Sequence, residues 1–117
     1  MVTLDEVREL ALSLPRTTEA VVRGRLKFRV GRIVWIAFSR DETKMGFAFP
    51  KDWRAVLIGS DPDKFLMPEP ADLRYNWAVV RLAAIDHQEM RELVLDAWEF
   101  VVPKRVAEEH SQQPPAK

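Results

Sequence analysis

The stretch Arg23-Gly24-Arg25-Leu26-Lys27-Phe28-Arg29-Val30-Gly31-Arg32 decides how this chain folds. It runs on through Ile33-Val34-Trp35-Ile36-Ala37-Phe38-Ser39 and, after a polar gap, Thr43-Lys44-Met45-Gly46-Phe47-Ala48-Phe49. In the first run Arg25, Lys27 and Arg29 alternate with Leu26, Phe28 and Val30. Side chains on a strand switch faces at every residue, so this run makes one greasy face and one cationic face. Gly24 and Gly31 punctuate it, and Gly31-Arg32 suits a tight hairpin turn. Arg40 to Thr43 reads as a second turn. The third run sets Met45, Phe47 and Phe49 on one face and Lys44, Gly46 and Ala48 on the other. Three such runs in sequence predict a β-meander whose greasy face the rest of the chain must cover.

Working outward, Thr3 to Leu14 reads as a helix. Thr3 with Glu6 forms a capping box, Val2 with Val7 a hydrophobic staple, and Leu4, Val7, Leu10, Ala11 and Leu14 one apolar stripe. Pro15 ends it, residues 16–19 read as a loop, and residues 20–22 as a short strand. Pro50 suits the first position of a helix with Trp53, Val56 and Leu57 on its apolar side and Gly59 as its cap. Residues 60–74 hold three prolines and read as loop, with a brief strand at residues 65–67. Residues 75–83 return to strand character, with Ala78, Val80 and Leu82 opposite Trp77, Val79 and Arg81. Asp86 opens a long helix carrying Met90, Leu93, Val94, Ala97, Trp98 and Val101 at helical spacing, and Pro103 breaks it. Residues 104–109 add a helical turn, and 110–117 read as a flexible tail. The order predicts an α+β fold over residues 1–109, a two-layer sandwich with helices packed on one face of an antiparallel sheet.

Composition narrows the function classes. At 117 residues with 47% hydrophobic and 31% charged residues, the chain suits one folded domain. It has no cysteine, which excludes disulfides and thiolate zinc sites. It shows neither the layout of a signal peptide nor an apolar run of the ~20 residues a membrane span needs. A soluble cytoplasmic protein is the expectation. The formal net charge is zero, yet residues 16–54 hold ten Lys and Arg against four acids, a net +6 that the remainder balances. A segregated field can attract a polyanion locally, although a pI near 6.7 is unlike that of a dedicated nucleic-acid binder.

Several motifs in order resemble the MmcQ/YjbR family. They are Ala11-Leu12-Ser13-Leu14-Pro15 closing the first helix, Glu19 after it, then Gly24, Phe28, Val30 and Gly31. The helix after Pro50, Asn76-Trp77-Ala78-Val79-Val80-Arg81-Leu82, and Ala97-Trp98 through Pro103-Lys104-Arg105 complete the set. The likeness spans residues 2 to about 105. It implies an α/β sandwich likened to a double-winged DNA-binding unit, and family members are commonly labelled DNA-binding. The chain departs from the family in having Leu73-Arg74-Tyr75-Asn76 before Trp77, where relatives often have a His-rich approach. The resemblance supplies no catalytic residue.

The residues themselves leave two readings of the cationic face. Arg23, Arg25, Lys27, Arg29 and Arg32, flanked by Lys44 and Arg81, can form a phosphate-contacting ridge. Equally, Lys and Arg on an outer face keep a sheet soluble and block edge-to-edge pairing. Trp77, with Trp35, is either a stacking platform among those cations or part of a core or interface. Trp53 and Trp98 fall on helical apolar stripes and read as core. His87 reads as a surface residue, and His87 and His110 lack a second ligand at metal spacing. Glu89, Glu92, Asp96 and Glu99 read as helix-surface charges rather than acid–base pairs. No serine has a nucleophile-elbow setting, and neither Gly-Arg pair makes a phosphate-cradling loop. The expectation is a non-enzymatic nucleic-acid binder, DNA first, without cofactor or metal. A protein-interaction module, homodimeric or partner-binding through the sheet, is the alternative. A small-molecule binder comes third.

Overall fold

A computed structural model describes residues 2–112, with the side chains of 111 and 112 left aside. The expected tail lies, from residue 113 onward, outside the described residues. Six strands form one sheet: β1 (Thr17–Val22), β2 (Arg25–Val30), β3 (Ile33–Phe38), β4 (Lys44–Ala48), β5 (Phe65–Leu66) and β6 (Trp77–Arg81). Their spatial order is β1-β2-β3-β4-β6-β5, and every neighbouring pair is antiparallel. Four α-helices accompany them: α1 (Leu4–Ser13), α2 (Arg54–Ser60), α3 (His87–Val101) and α4 (Lys104–Gln112). The α+β architecture is as expected, an antiparallel sheet with helices packed against it.

The β2 hairpins follow their turn residues. Arg23 and Gly24 both have positive φ, 55° and 77°, between the paired ends Val22 and Arg25. That is the backbone of a two-residue turn whose twist matches the strands. Gly31, at φ 61°, turns the chain between Val30 and Ile33. Register then sorts the sheet's faces. Phe28 pairs with Ile36, Ile36 with Phe47, and Phe47 with Ala78, a row whose members are all almost wholly buried. Helices α1 and α3 cover this face. The Trp98 indole on α3 donates from Nε1 to the Pro15 carbonyl at 2.9 Å, tying α3 to the end of α1. Arg8 on α1 pairs at 2.9 Å with Glu19 on β1.

Both long helices start as their caps predict. Thr3 and Glu6 form the reciprocal box, and the Asp86 carboxylate accepts the Glu89 backbone N–H at 2.8 Å. Other boundaries moved. β1 begins at Thr17 rather than residue 20, because Thr17 to Glu19 find backbone partners in Val30, Arg29 and Phe28, and that pairing outweighs their polar character. β6 stops at Arg81, and residues 82–84 form a 3-10 turn that still buries Leu82. α4 runs nine residues, longer than one turn, and takes in residues 110–112, expected in the tail, with Val106 buried and His110 against the Trp98 ring.

The segment after Pro50 departs most. A 3-10 turn, Lys51–Trp53, precedes α2, which ends at the Asp61 cap and not at Gly59. Trp53 and Val56, expected on a buried side, are each 63% exposed, and Arg54 is buried in their place. The reason is a specific anchor: the Arg54 guanidinium donates to the carbonyls of Leu73, Tyr75 and Trp77 at 2.9, 3.2 and 3.0 Å. Three charge-assisted bonds outweigh the weak apolar stripe of a seven-residue helix.

On the sheet's other face, Gly46 and Ala48 are buried although no large side chain springs from either position. The Trp77 indole lies over Gly46, where an added methyl would fall 2.5–2.6 Å from its Nε1, Cε2 and Cζ2 atoms. A glycine in a strand interior is otherwise a weak point, and the neighbouring ring shields its backbone. Gly46→Ala should therefore lower stability by about 1–3 kcal/mol, the range for overpacking. In urea denaturation, Gly46→Ala combined with Trp77→Ala should cost less than the two single changes added together.

Candidate nucleic-acid interface

Across all six strands there are six ionisable side chains, and the pleat segregates them by sign. Arg25, Lys27 and Arg29 project opposite Phe28 and Val30 on β2. Lys44 on β4 pairs in register with Arg81 on β6, both opposite the buried Met45 and Val80. The single acid, Glu19, sits in register with Phe28 on the helix-covered face, where it meets Arg8. Five cations thus share the face that α1 and α3 leave uncovered, and no strand contributes a carboxylate to it.

Their arrangement is an L. Alternate residues on β2 stand about 6.6 Å apart, giving a column of Arg25, Lys27 and Arg29. At its end Arg25 donates from Nε to the Phe38 carbonyl on β3 at 3.1 Å. Just past the end of β3 is Ser39, whose backbone N–H bonds the Lys44 carbonyl at 3.0 Å, so a row from Arg25 through Lys44 to Arg81 crosses the sheet. Arg25 and Arg81 are exposed, whereas Lys27, Arg29 and Lys44 are half-buried. The Arg29 Nε is enclosed and without a hydrogen-bond partner. None of the five forms an ion pair among the described residues. Arg23 and Arg32 are not part of the L. They occupy the turns at opposite ends of β2, both exposed, so the five-residue ridge of the sequence reading divides into a central column and two separate tips. Lys64, just before β5, accepts the Arg81 backbone N–H at its carbonyl at 3.0 Å, and its ammonium is held by Glu89 on α3 at 2.9 Å, with its pKa raised first by that hydrogen bond.

The tryptophans divide as well. A bulge in β3 interrupts the pairing between Phe28–Ile36 and Arg29–Val34, leaving Trp35 as the extra residue. Trp35 has no exposed surface and belongs to the hydrophobic cluster, so it cannot offer its ring to a ligand. Trp98 is buried as expected. Trp77 is half-buried, its indole laid on Gly46 among the cations. Trp53, which the sequence reading placed in the core, is a surface ring near the start of β6.

A second set of residues, given no binding role from sequence, frames that corner. The Lys51 N–H donates to Asn76 Oδ1 at 3.0 Å, and Lys51 Nζ to the Arg74 carbonyl at 3.2 Å. The Phe49 N–H bonds the Asn76 carbonyl at 3.2 Å. Arg74 lies 4.8 Å from the centre of the Tyr75 ring and donates to its hydroxyl at 2.8 Å. The sequence carried one hint of this knot, an arginine opening a helix in which Ala55, Val56, Leu57 and Ile58 follow.

Exposed His87 pairs with Glu6 of the α1 capping box. Asp96 has its carboxyl pushed up, first by partial burial and then by Glu92 one turn away, on the rim of a shallow groove with Leu93, Phe49 and Phe100. Among the described residues no group of His, Asp and Glu could hold a metal ion, and no helix is long and apolar enough to cross a membrane.

With this geometry in place, comparison with known proteins identifies the class. The family model named YjbR matches residues 12–100, and the chain belongs to that family. Its fold is similar to that of a crystal structure of a Deinococcus radiodurans protein with a DUF419 domain, at a TM-score of 0.75 and 17% identity, covering 100% of this chain and 94% of the other. No curated protein matches the chain.

Asp41, in the turn beside the basic row, accepts from the Ser39 and Thr43 hydroxyls at 2.7 and 2.8 Å and from the Thr43 N–H at 3.1 Å. The Ser39 bond first, then the two from Thr43, lower its pKa to about 2. The folded value lies below the unfolded one, so the unfolded chain takes up the proton first as pH falls. This contribution is whole above about pH 4 and is lost as pH drops through about 2. Between those values the urea midpoint of the wild type should fall more steeply than that of Asp41→Asn.

Proposed function

We propose that this YjbR-family protein is a non-enzymatic, cytoplasmic nucleic-acid-binding protein that takes DNA on the uncovered face of its sheet. One observation carries the reading: five strand cations on that face and no strand carboxylate beside them. In this reading Arg25, Lys44 and Arg81 meet phosphates across the sheet and Lys27 continues the track along β2. Arg29, being embedded, shapes the surface more than it reaches the ligand. Arg23 and Arg32 touch flanking phosphates from the hairpin tips, and Trp77 offers the stacking surface. The near-neutral chain as a whole limits long-range attraction, so binding depends on local contacts and is sensitive to salt.

A second reading, self-association through the sheet, is favoured by the outer edge of β1. That edge has no partner strand among the described residues, and Val21 on it is 68% exposed. Light scattering across a concentration series separates the two, because a dimer built there forms without oligonucleotide.

For the DNA reading, the log of the binding constant should fall linearly with log salt, by roughly 0.7–0.9 per phosphate neutralised. Replacing Arg25, Lys44 and Arg81 together with alanine should weaken binding and flatten that slope by about 2–3 units. Fluorescence anisotropy with a labelled oligonucleotide reads both. Absence of wild-type binding at about 50 mM salt would sink the proposal.

A further inference from the structure

The corner at the start of β6 is built as if to present aromatic rings. The buried Arg54 holds the carbonyls of Leu73, Tyr75 and Trp77, and Lys51 and Phe49 hold Asn76 and Arg74. Residues 73–77 are thereby pinned to residues 49–54. The two segments carry Trp53 and Tyr75, 63% and 51% exposed, beside Trp77 on the sheet. Trp53, and Tyr75 with Arg74 set over one side of its ring, keep broad aromatic surface in water on so firmly tied a backbone, an interaction surface rather than unfinished core.

The corner's own charge is balanced, with Lys51, Arg54 and Arg74 against Asp52, Glu69 and Asp72. It therefore adds little attraction for phosphate. What it adds is flat, rigid π-surface at one end of a cationic track. Along β6, Trp77 and Arg81 are four residues apart, about 13 Å, so rings and cations serve different parts of one extended ligand.

We infer that the ligand is a single-stranded nucleic acid, its phosphates on Arg25, Lys44 and Arg81 and its bases stacked on Trp53, Tyr75 and Trp77. This rests on the basic-face reading above and narrows it. A duplex buries the faces of its bases against each other and leaves the exposed rings without partners, whereas an unpaired strand can splay its bases onto them. Stacking tolerates any base, so sequence preference is weak.

The division of labour has its own signature. Trp53→Ala and Tyr75→Ala, both at surface positions, should each weaken binding of a labelled single-stranded oligonucleotide roughly tenfold, with the salt slope unchanged. Trp53→Phe, which keeps a ring, should restore most of the loss. The same sequence annealed as a duplex should bind the wild type more weakly, and thermal melts check that each variant is folded. Duplex binding as tight as single-strand binding overturns the inference and leaves the basic-face reading standing. So does unchanged affinity in both aromatic variants while the triple cation variant fails. If neither form of the oligonucleotide binds the wild type, both ideas fall together.

Discussion

The row Phe28, Ile36, Phe47 and Ala78, running through four neighbouring strands, is the constraint on which the rest of the molecule depends. These side chains are buried only if α1 and α3 lie over them, and they align only if each strand keeps its register. A slip of one residue would turn the whole set to water, so one buried face specifies the pairing of the sheet. Once that face is committed, alternation leaves no choice for Arg25, Lys27, Arg29, Lys44 and Arg81. The basic surface is thus the reverse side of the core.

That reverse side is unusual for an outer face because it is not wholly polar. Gly46, Ala48 and Ala37 are small and buried, and the Trp77 ring lies over Gly46, so the cations surround an apolar patch instead of a solvated lawn. Packing here has two consequences. It shields a glycine-containing strand, and it fixes the orientation of an indole that would otherwise sample several rotamers. Arg54 does comparable work at the sheet's end by tying the carbonyls of Leu73, Tyr75 and Trp77 to one buried guanidinium.

Acids are kept off this surface by the same economy of pairing. Glu19 answers Arg8, Glu89 answers Lys64, and Glu6 answers both Thr3 and His87. The Arg8, Lys64 and His87 pairs each join a helix to another element on the covered side, and they keep Glu19, Glu89 and Glu6 turned away from the basic face. Asp41 is the nearest exception, and its hydroxyl partners keep it ionised beside Lys44. The zero net charge of the chain therefore coexists with a one-sided surface.

Much of this was legible in the amino-acid order alone. Period-two alternation from Arg25 to Val30, the capping residues Thr3 and Asp86, and the glycine turns are local signals, each readable within a few residues because the physics behind them is local. They determined the meander, both long helices and which cations share a face. Burial of Trp35, exposure of Trp53, the anchor at Arg54 and the separation of Arg23 and Arg32 from the central cations were settled only by the tertiary structure. Each turns on partners distant in the chain: a bulge opposite Arg29, carbonyls some twenty residues from Arg54, and turns at two ends of one strand. A short helix's apolar stripe weighs little against three hydrogen bonds to a buried guanidinium, and no local pattern announces where those acceptors will be.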